Sequence, residues 1–452
     1  MPFRIKIKPL AFVAVLIISF SSIYAQEADV YSVRRAKLLE KTGEGTVLLA
    51  NNGGQDYVST TGDNHNFFYL TGLRTIDAVL LIDGKSGNST VYQPARRGRY
   101  QAPQEGDGGK TLDDLSRELP GIVGSATILW MDPAQFRLLE KAGTSLSRLN
   151  HIRNVTPLIH ALRPIKDGHE IELIRKAVKI TADGLVELMK ASEPGMSEKD
   201  FELILDYMFK KGGSNGLRFG IHAASGPNST EVHYGRNDRT TQPGDMMVFD
   251  VGAKFEYYTA DITRAFPVSG KFTKEQREIY EVVLNAQKEA IKVMKPGNRI
   301  TQAYEIVPRE LNKGLLNLGL LTDTTQAWQK TIWMMHGWGH HIGLQVHDVS
   351  APADRDNPEI LTPGMIYTME PGLYFPEGYL SEETPRNPRI PADEWAAFVK
   401  KVMPVYKKYI HIGVRIEDDV LITPTGNEIL SAGVPKEIAE IEALMKQKSR
   451  FN

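Results

Sequence analysis

Short apolar runs separated by polar or helical stretches fill the chain from about Asp29 to Leu162. GTVLLA, DAVLLID, STVYQP and ATILWMD read as buried strands and YSVRRAKLLEK as a helix, so this stretch predicts an α/β domain. The texture changes at RPIKDGHEIELIRKAVKITADGLVELM. There Ile171, Ile174, Val178, Leu185 and Leu188 recur at helical spacing, predicting an amphipathic helix that closes near EPGMS and opens a second domain. Ser197 with Asp200, and Thr273 with Gln276, have the spacing of capping boxes and predict two further helix starts.

Between those two helices, PGDMMVFDVGAKFEYYTADITRAFPV alternates apolar and polar residues on both sides of AKFEYY, which predicts two antiparallel strands. A turn centred on Phe255 and Glu256 sets Asp250 directly opposite Asp261. Downstream, YTMEPGLYF places Glu370 at the end of an apolar run, just before a Pro-Gly turn. HIGVRIEDDVLIT places Glu417 inside a strand, two residues after Arg415 and therefore on the same face.

A length of 452 residues predicts two domains, since single cores stop growing near ~250–300 residues. The near-zero net charge of −1 argues against a nucleic-acid surface. Without cysteine there are no disulfides and no thiolate ligands, so a metal site here must be built from Asp, Glu and His. At the start, Arg4, Lys6 and Lys8 precede the apolar run LAFVAVLIISF, with a plausible cut after Ala25. The run is shorter than the ~20 residues that span a bilayer. A signal peptide over residues 1–25 is expected, giving an exported protein, periplasmic or secreted, with no membrane anchor after cleavage.

These constraints give the polar residues chemical meaning. Two carboxylates opposed across a hairpin repel unless a proton or a cation intervenes. Ordinary turn aspartates are the bland alternative, but an unpaired charge within an apolar strand costs several kcal/mol. Four of the 11 histidines, His336, His340, His341 and His347, fall within WMMHGWGHHIGLQVHDVSAP. Any one could be a hydrogen-bonded core residue; the group suggests a metal ligand together with groups that bind or protonate an intermediate. Arg415 and Glu417 form an inward charge pair unless their strand is a solvated edge. Together these residues match a carboxylate-bridged pair of divalent ions such as manganese, with zinc or cobalt as alternatives. The Gly-rich EGDGGK lacks phosphate-loop spacing and reads as a surface turn.

The series HY at 233–234, DVG…DITRAFPV, HGWGHHIGLQVHD, MEPGLY and GVRIEDD resembles the metallopeptidase family of aminopeptidase P and prolidase. RRAKLLEK and NFFYLTG resemble that family's creatinase-like N-terminal domain. The resemblance implies an α/β (α+β) chain, with a creatinase-like domain over residues 28–162 and a pita-bread catalytic domain over 165–447. It implies that Asp250 chelates one metal, that Asp261 and Glu417 bridge both, and that His340 and Glu370 complete the other. Glu370 would take the proton of the attacking water. His233 and His347 would surround the scissile peptide, His336 would lie near the substrate, and Arg415 would brace Asp250. The implied reaction is metal-assisted hydrolysis of the Xaa-Pro bond at the N-terminus of short proline-containing peptides, by a homo-oligomer, a dimer or tetramer. His341 stands where relatives often carry another, frequently aromatic or apolar, residue, and the stretch from Phe375 to Ile412 is a long insertion compared with the shortest aminopeptidase P sequences. That insertion, with the phrase GLQVHDV, leans toward prolidase. An Xaa-Pro dipeptidase, a metal-free amidinohydrolase and a non-catalytic binding module on the same fold are the competing readings.

Overall fold

A computed structural model describes residues 30–51, 63–95, 110–132, 151–216, 220–350, 359–380 and 389–451. The expected signal peptide lies outside these residues, as does EGDGGK apart from Lys110. The chain divides into two compact units, residues 1–162 and 163–452.

In the first unit, the four apolar runs form strands at the heart of a six-stranded sheet. These are β1 (Thr46–Ala50), β2 (Val79–Ile82), β3 (Ser89–Gln93) and β5 (Leu129–Met131), with β4 (Lys110–Thr111) and β6 (Ile152–Asn154) at the edges, in the order β4-β3-β2-β1-β5-β6. Strand β1 is antiparallel to β2 and parallel to β5. Both β1 and β2 are buried along their whole length, which is why they read as continuous apolar runs rather than as alternation. Leu115 and Leu119, from the helix Leu112–Ser125, join Leu48, Val79 and Met131 in one apolar core.

The second unit begins with the helix Gly168–Ala191, whose Ile174, Val178, Leu185 and Leu188 are buried while Ile171 is only partly covered. Both expected capping boxes form. Ser197 starts the helix Glu198–Lys211 and Thr273 starts Lys274–Val293, each with its hydroxyl accepting from the backbone three residues on. Strands β7 (His222–Ser225), β8 (Met246–Val251) and β11 (Ile262–Pro267) make one sheet, and β9 (Lys254–Phe255) with β10 (Tyr258–Thr259) forms the tip of its hairpin. A second sheet contains β12 (Ile366–Met369), β15 (Asp418–Thr423) and β16 (Gly426–Ile429), while β13 (Gly372–Tyr374) pairs with β14 (Gly413–Arg415). The helix Lys274–Val293 packs on Ile300–Leu318 and against β12, β13 and β14. No helix among the described residues is long and apolar enough to cross a membrane.

Two sequence expectations need correction. The hairpin turns on Glu256 and Tyr257, with Phe255 facing Tyr258, so Asp250 faces Thr263 rather than Asp261. Both turn residues have positive φ, 47° and 69°, the backbone whose twist matches that of the flanking strands. The register moves by two residues. A side-chain period of two therefore leaves Asp250 and Asp261 on one face, as a diagonal pair. Glu417 does not lie inside a strand but in a break between β14 and β15. Opposite that break stands Pro371, which has no N–H to continue the ladder and instead accepts from Ile416 N at 3.3 Å.

The close packing of β14 is directly testable. A Cβ on Gly413 would lie 1.8 Å from the Ser229 carbonyl oxygen, a backbone atom that cannot rotate away. Gly413→Ala is expected to destabilise the protein by about 1–3 kcal/mol. Urea unfolding midpoints measure this, and an unchanged midpoint would contradict the packing.

Candidate metal centre

Three segments converge on one buried cluster. From the β8–β11 hairpin come Asp250 and Asp261. Glu370 and Glu417 come from the two sides of the strand break, where Gln287 of the helix Lys274–Val293 donates to the carbonyls of Met369 and Ile416 at 3.1 and 3.0 Å. Those are the residues immediately before the two glutamates, so one buried amide fixes both. The third segment, which carries His340, runs irregularly beside β12: Thr368 N donates to the His340 carbonyl at 2.9 Å and Glu370 N to the Trp338 carbonyl at 3.0 Å. Gly339 permits this approach. It adopts φ 157°, and a Cβ there would stand 2.2 Å from the Thr368 carbonyl oxygen.

The His340 imidazole is oriented by its own loop. Its Nδ1 donates to the His341 carbonyl at 3.1 Å, which turns the Nε2 lone pair inward. Nε2 lies 3.5 Å from Asp261 Oδ2 and 3.6 Å from Glu370 Oε1. One ligand atom each from Asp261, His340 and Glu417 lie within 4.8 Å of one another. Asp250 is held by the Arg415 guanidinium, which also donates to Thr263 Oγ1 at 3.1 Å and to the Tyr374 hydroxyl at 2.9 Å. Thr263 passes the connection on, donating to Glu417 Oε2 at 2.6 Å.

Burial and mutual repulsion set the protonation of this cluster. Desolvation, then the charges of Glu417 and Asp250, drive Asp261 well above the carboxylate range; desolvation and Glu370 do the same to Glu417. Burial raises Glu370 to about 7 against the pull of Arg415. Burial also disfavours a charged Asp250, but Arg415 and His222 outweigh it and hold that carboxyl below its ordinary value. Desolvation and neighbouring His347 lower His340 to about 4, leaving it neutral and available as a ligand. Asp250 Oδ1 and Asp261 Oδ1 are buried without a hydrogen-bond partner among the described residues. A set of hard oxygen and imidazole donors with unsatisfied buried oxygens fits divalent cations.

The remaining predicted residues surround this cluster. His336 places Nδ1 3.6 Å from Glu370 Oε2, and its Nε2 lies 2.8 Å from the Tyr374 hydroxyl. His347 is exposed, with its ring 4.2 Å from that of His340. His233 is also exposed. His341, by contrast, is buried behind the cluster, its Nε2 2.8 Å from Glu359. The loop joining His340 to His347 is tied by Asp348, which ion-pairs with Arg163 and, at 3.3 Å, with Lys166, all three side chains being buried. From the insertion, Trp395 and Phe398 pack on Trp328, and Tyr406 stacks on Trp333 just before His336. The sequence reading missed His222, which faces Asp250 across β7 and β8, and Asp419, whose Oδ2 accepts from Asp261 N at 3.2 Å. A histidine and an acidic doublet inside apolar stretches were the available signals.

Residues 172–424 match Metallopeptidase family M24. The chain is 35% identical over 404 residues to the Xaa-Pro aminopeptidase of Haemophilus influenzae, covering 84% of this chain and 87% of that protein. It is 35% identical over 311 residues to human Xaa-Pro dipeptidase, covering 64% of this chain and 61% of that one. The structure of Pseudomonas aeruginosa aminopeptidase PepP superposes with a TM-score of 0.78 at 30% identity, over 92% of this chain and 97% of that chain.

Asp348 supplies a test of how the histidine loop is held. Desolvation works against its charge, but Arg163 and Lys166 prevail and lower it from 3.8 to about 2. A depressed folded-state value means the stabilisation is complete above about 3.8 and is lost as pH falls toward about 2. Asp348→Asn is expected to cost about 3–5 kcal/mol at neutral pH by leaving buried cations unpaired. In urea melts, the gap from wild type should narrow between pH 4 and 2; equal stability at pH 7 would refute the assignment.

Proposed function

The chain belongs to metallopeptidase family M24, and on that premise we propose that it hydrolyses the Xaa-Pro bond at the N-terminus of peptides, as an Xaa-Pro aminopeptidase does. The observation that carries this reading is breadth. Likeness to the Xaa-Pro aminopeptidase extends through both units, whereas likeness to the dipeptidase covers 64% of the chain. That outweighs the lean toward prolidase suggested by the insertion.

Asp250, Asp261, His340, Glu370 and Glu417 would hold two divalent ions. Manganese is the first choice for so oxygen-rich a set, with zinc or cobalt as alternatives. When bound, such ions acidify water near neutral pH and offset negative charge developing on the substrate oxygen. The protein's own residues do the rest. Glu370 accepts a proton from the attacking water and returns it to the departing prolyl nitrogen. That nitrogen leaves as an amine and so must gain a proton, and in the substrate it carries no hydrogen of its own. His233 and His347, on the open side, donate toward the carbonyl oxygen as it gains charge. Arg415 keeps Asp250 ionised, and His336, tied to Tyr374, borders the substrate. Export to the periplasm or beyond is part of this proposal, supported by the basic and apolar segments before Ala25.

Reconstitution with manganese, zinc or cobalt, followed by assays on Ala-Pro and Ala-Pro-Ala, should show cleavage of the tripeptide; turnover of the dipeptide alone would make the protein a prolidase. Asp261→Asn should reduce kcat/KM roughly a thousandfold, matching the several kcal/mol that metal assistance contributes. Peptide cleavage that survives chelation would overturn the metal-assisted reading, and chelator-resistant hydrolysis of a guanidino substrate in place of either peptide would favour the metal-free amidinohydrolase. A titration that finds no metal bound, with no turnover, would favour a binding module.

A further inference from the structure

We propose that His222 is a positioning residue for His233, holding the backbone that presents it to substrate; the proposal rests on the catalytic reading of His233 above. The register of β7 against β8 sets His222 opposite Asp250, so its ring projects from the sheet face that carries the carboxylates. Its Nδ1 meets the carbonyl oxygen of Tyr234. A carbonyl can only accept, so Nδ1 carries the proton and donates. Tyr234 directly follows His233, and the two imidazole rings lie 6.4 Å apart at 47°.

The rest of this loop is tied down at other points. Buried Glu198 accepts from the Tyr234 hydroxyl, from Ser225 N and Oγ at 2.8 and 2.7 Å, from Asn228 Nδ2 at 2.9 Å and from Arg239 N at 2.9 Å. Asn237 accepts from Ala223 N at 3.1 Å and donates to the Ile221 carbonyl at 2.8 Å. These bonds fix the Tyr234 ring and the far side of the loop. Beside His233 the main chain is held on the Val232 side by Arg415, which donates to the Val232 carbonyl at 3.4 Å. On the Tyr234 side it is held by Tyr234 N donating to the Glu231 carbonyl at 3.3 Å and by the His222 bond to the Tyr234 carbonyl. An exposed imidazole that must meet a developing charge gains most from such a fixed attachment, because a displacement of about 1 Å costs up to roughly a hundredfold in rate.

His222→Leu removes the donor, while His222→Asn keeps an N–H at a similar reach. We expect the Leu variant to lose about tenfold in kcat/KM on Ala-Pro-Ala with its metal stoichiometry unchanged, and the Asn variant to recover most of that. In a His233→Ala background, His222→Leu should cost nothing further. Hydrogen exchange of the amides at 231–236, which needs no substrate, should quicken in the Leu variant and not in the Asn variant. Additive losses, an Asn variant as poor as Leu, or unchanged exchange would overturn the proposal. A wild-type enzyme silent on the tripeptide but with the expected exchange pattern would overturn the functional reading instead and leave the positioning role standing.

Discussion

Four acidic side chains packed into one buried cluster cannot all be ionised unless positive charge is brought to them, and the second unit is organised around that constraint. One guanidinium is built in, and it serves Asp250. Asp261 and Glu417, which lie beyond its reach or must share it, are pushed toward the protonated form by burial and by one another. The unsatisfied oxygens of Asp250 and Asp261 are the structural residue of that imbalance. Divalent cations resolve it, and the same charge that stabilises the folded cluster then becomes available for chemistry.

Holding such a cluster together requires support from buried polar side chains beyond the carboxylates themselves. A strand break at Pro371 turns two glutamates inward, and Gln287 compensates both carbonyls that the break leaves without ladder partners. Asp348 with Arg163 and Lys166 closes the histidine loop. Thr263 joins Arg415 to Glu417, so the group bracing one carboxylate also aligns another. The interior thus joins the carboxylates through a network of buried donors and acceptors, with Asp250 Oδ1 and Asp261 Oδ1 left without a hydrogen-bond partner among the described residues. His233 and His347, in contrast, stand exposed where a substrate would arrive. Precision inside and access outside have different requirements, and different segments meet them.

By itself, the sequence determined much of this. Capping boxes at Ser197 and Thr273, the buried strands of the first unit and the amphipathic helix after Arg163 all follow from local chemistry and period, which require only near neighbours. Absence of cysteine confined any ligand set to oxygen and imidazole. Charged residues inside apolar runs marked Asp250, Asp261, Glu370 and Glu417, because such burial is costly wherever it occurs. What the sequence could not determine was anything resting on pairing between distant segments. The hairpin register depended on Glu256 and Tyr257 adopting left-handed backbone, which neither residue type advertises. Glu417 lies in a break because Pro371, distant in the chain, stands opposite Ile416 and offers no N–H to continue the ladder. His222 became part of the site only when β7 paired with β8, and Gln287 only when its helix packed under the break. Period and propensity are properties of a short stretch of chain, whereas a site is a coincidence in space, and only the tertiary structure brings its members together.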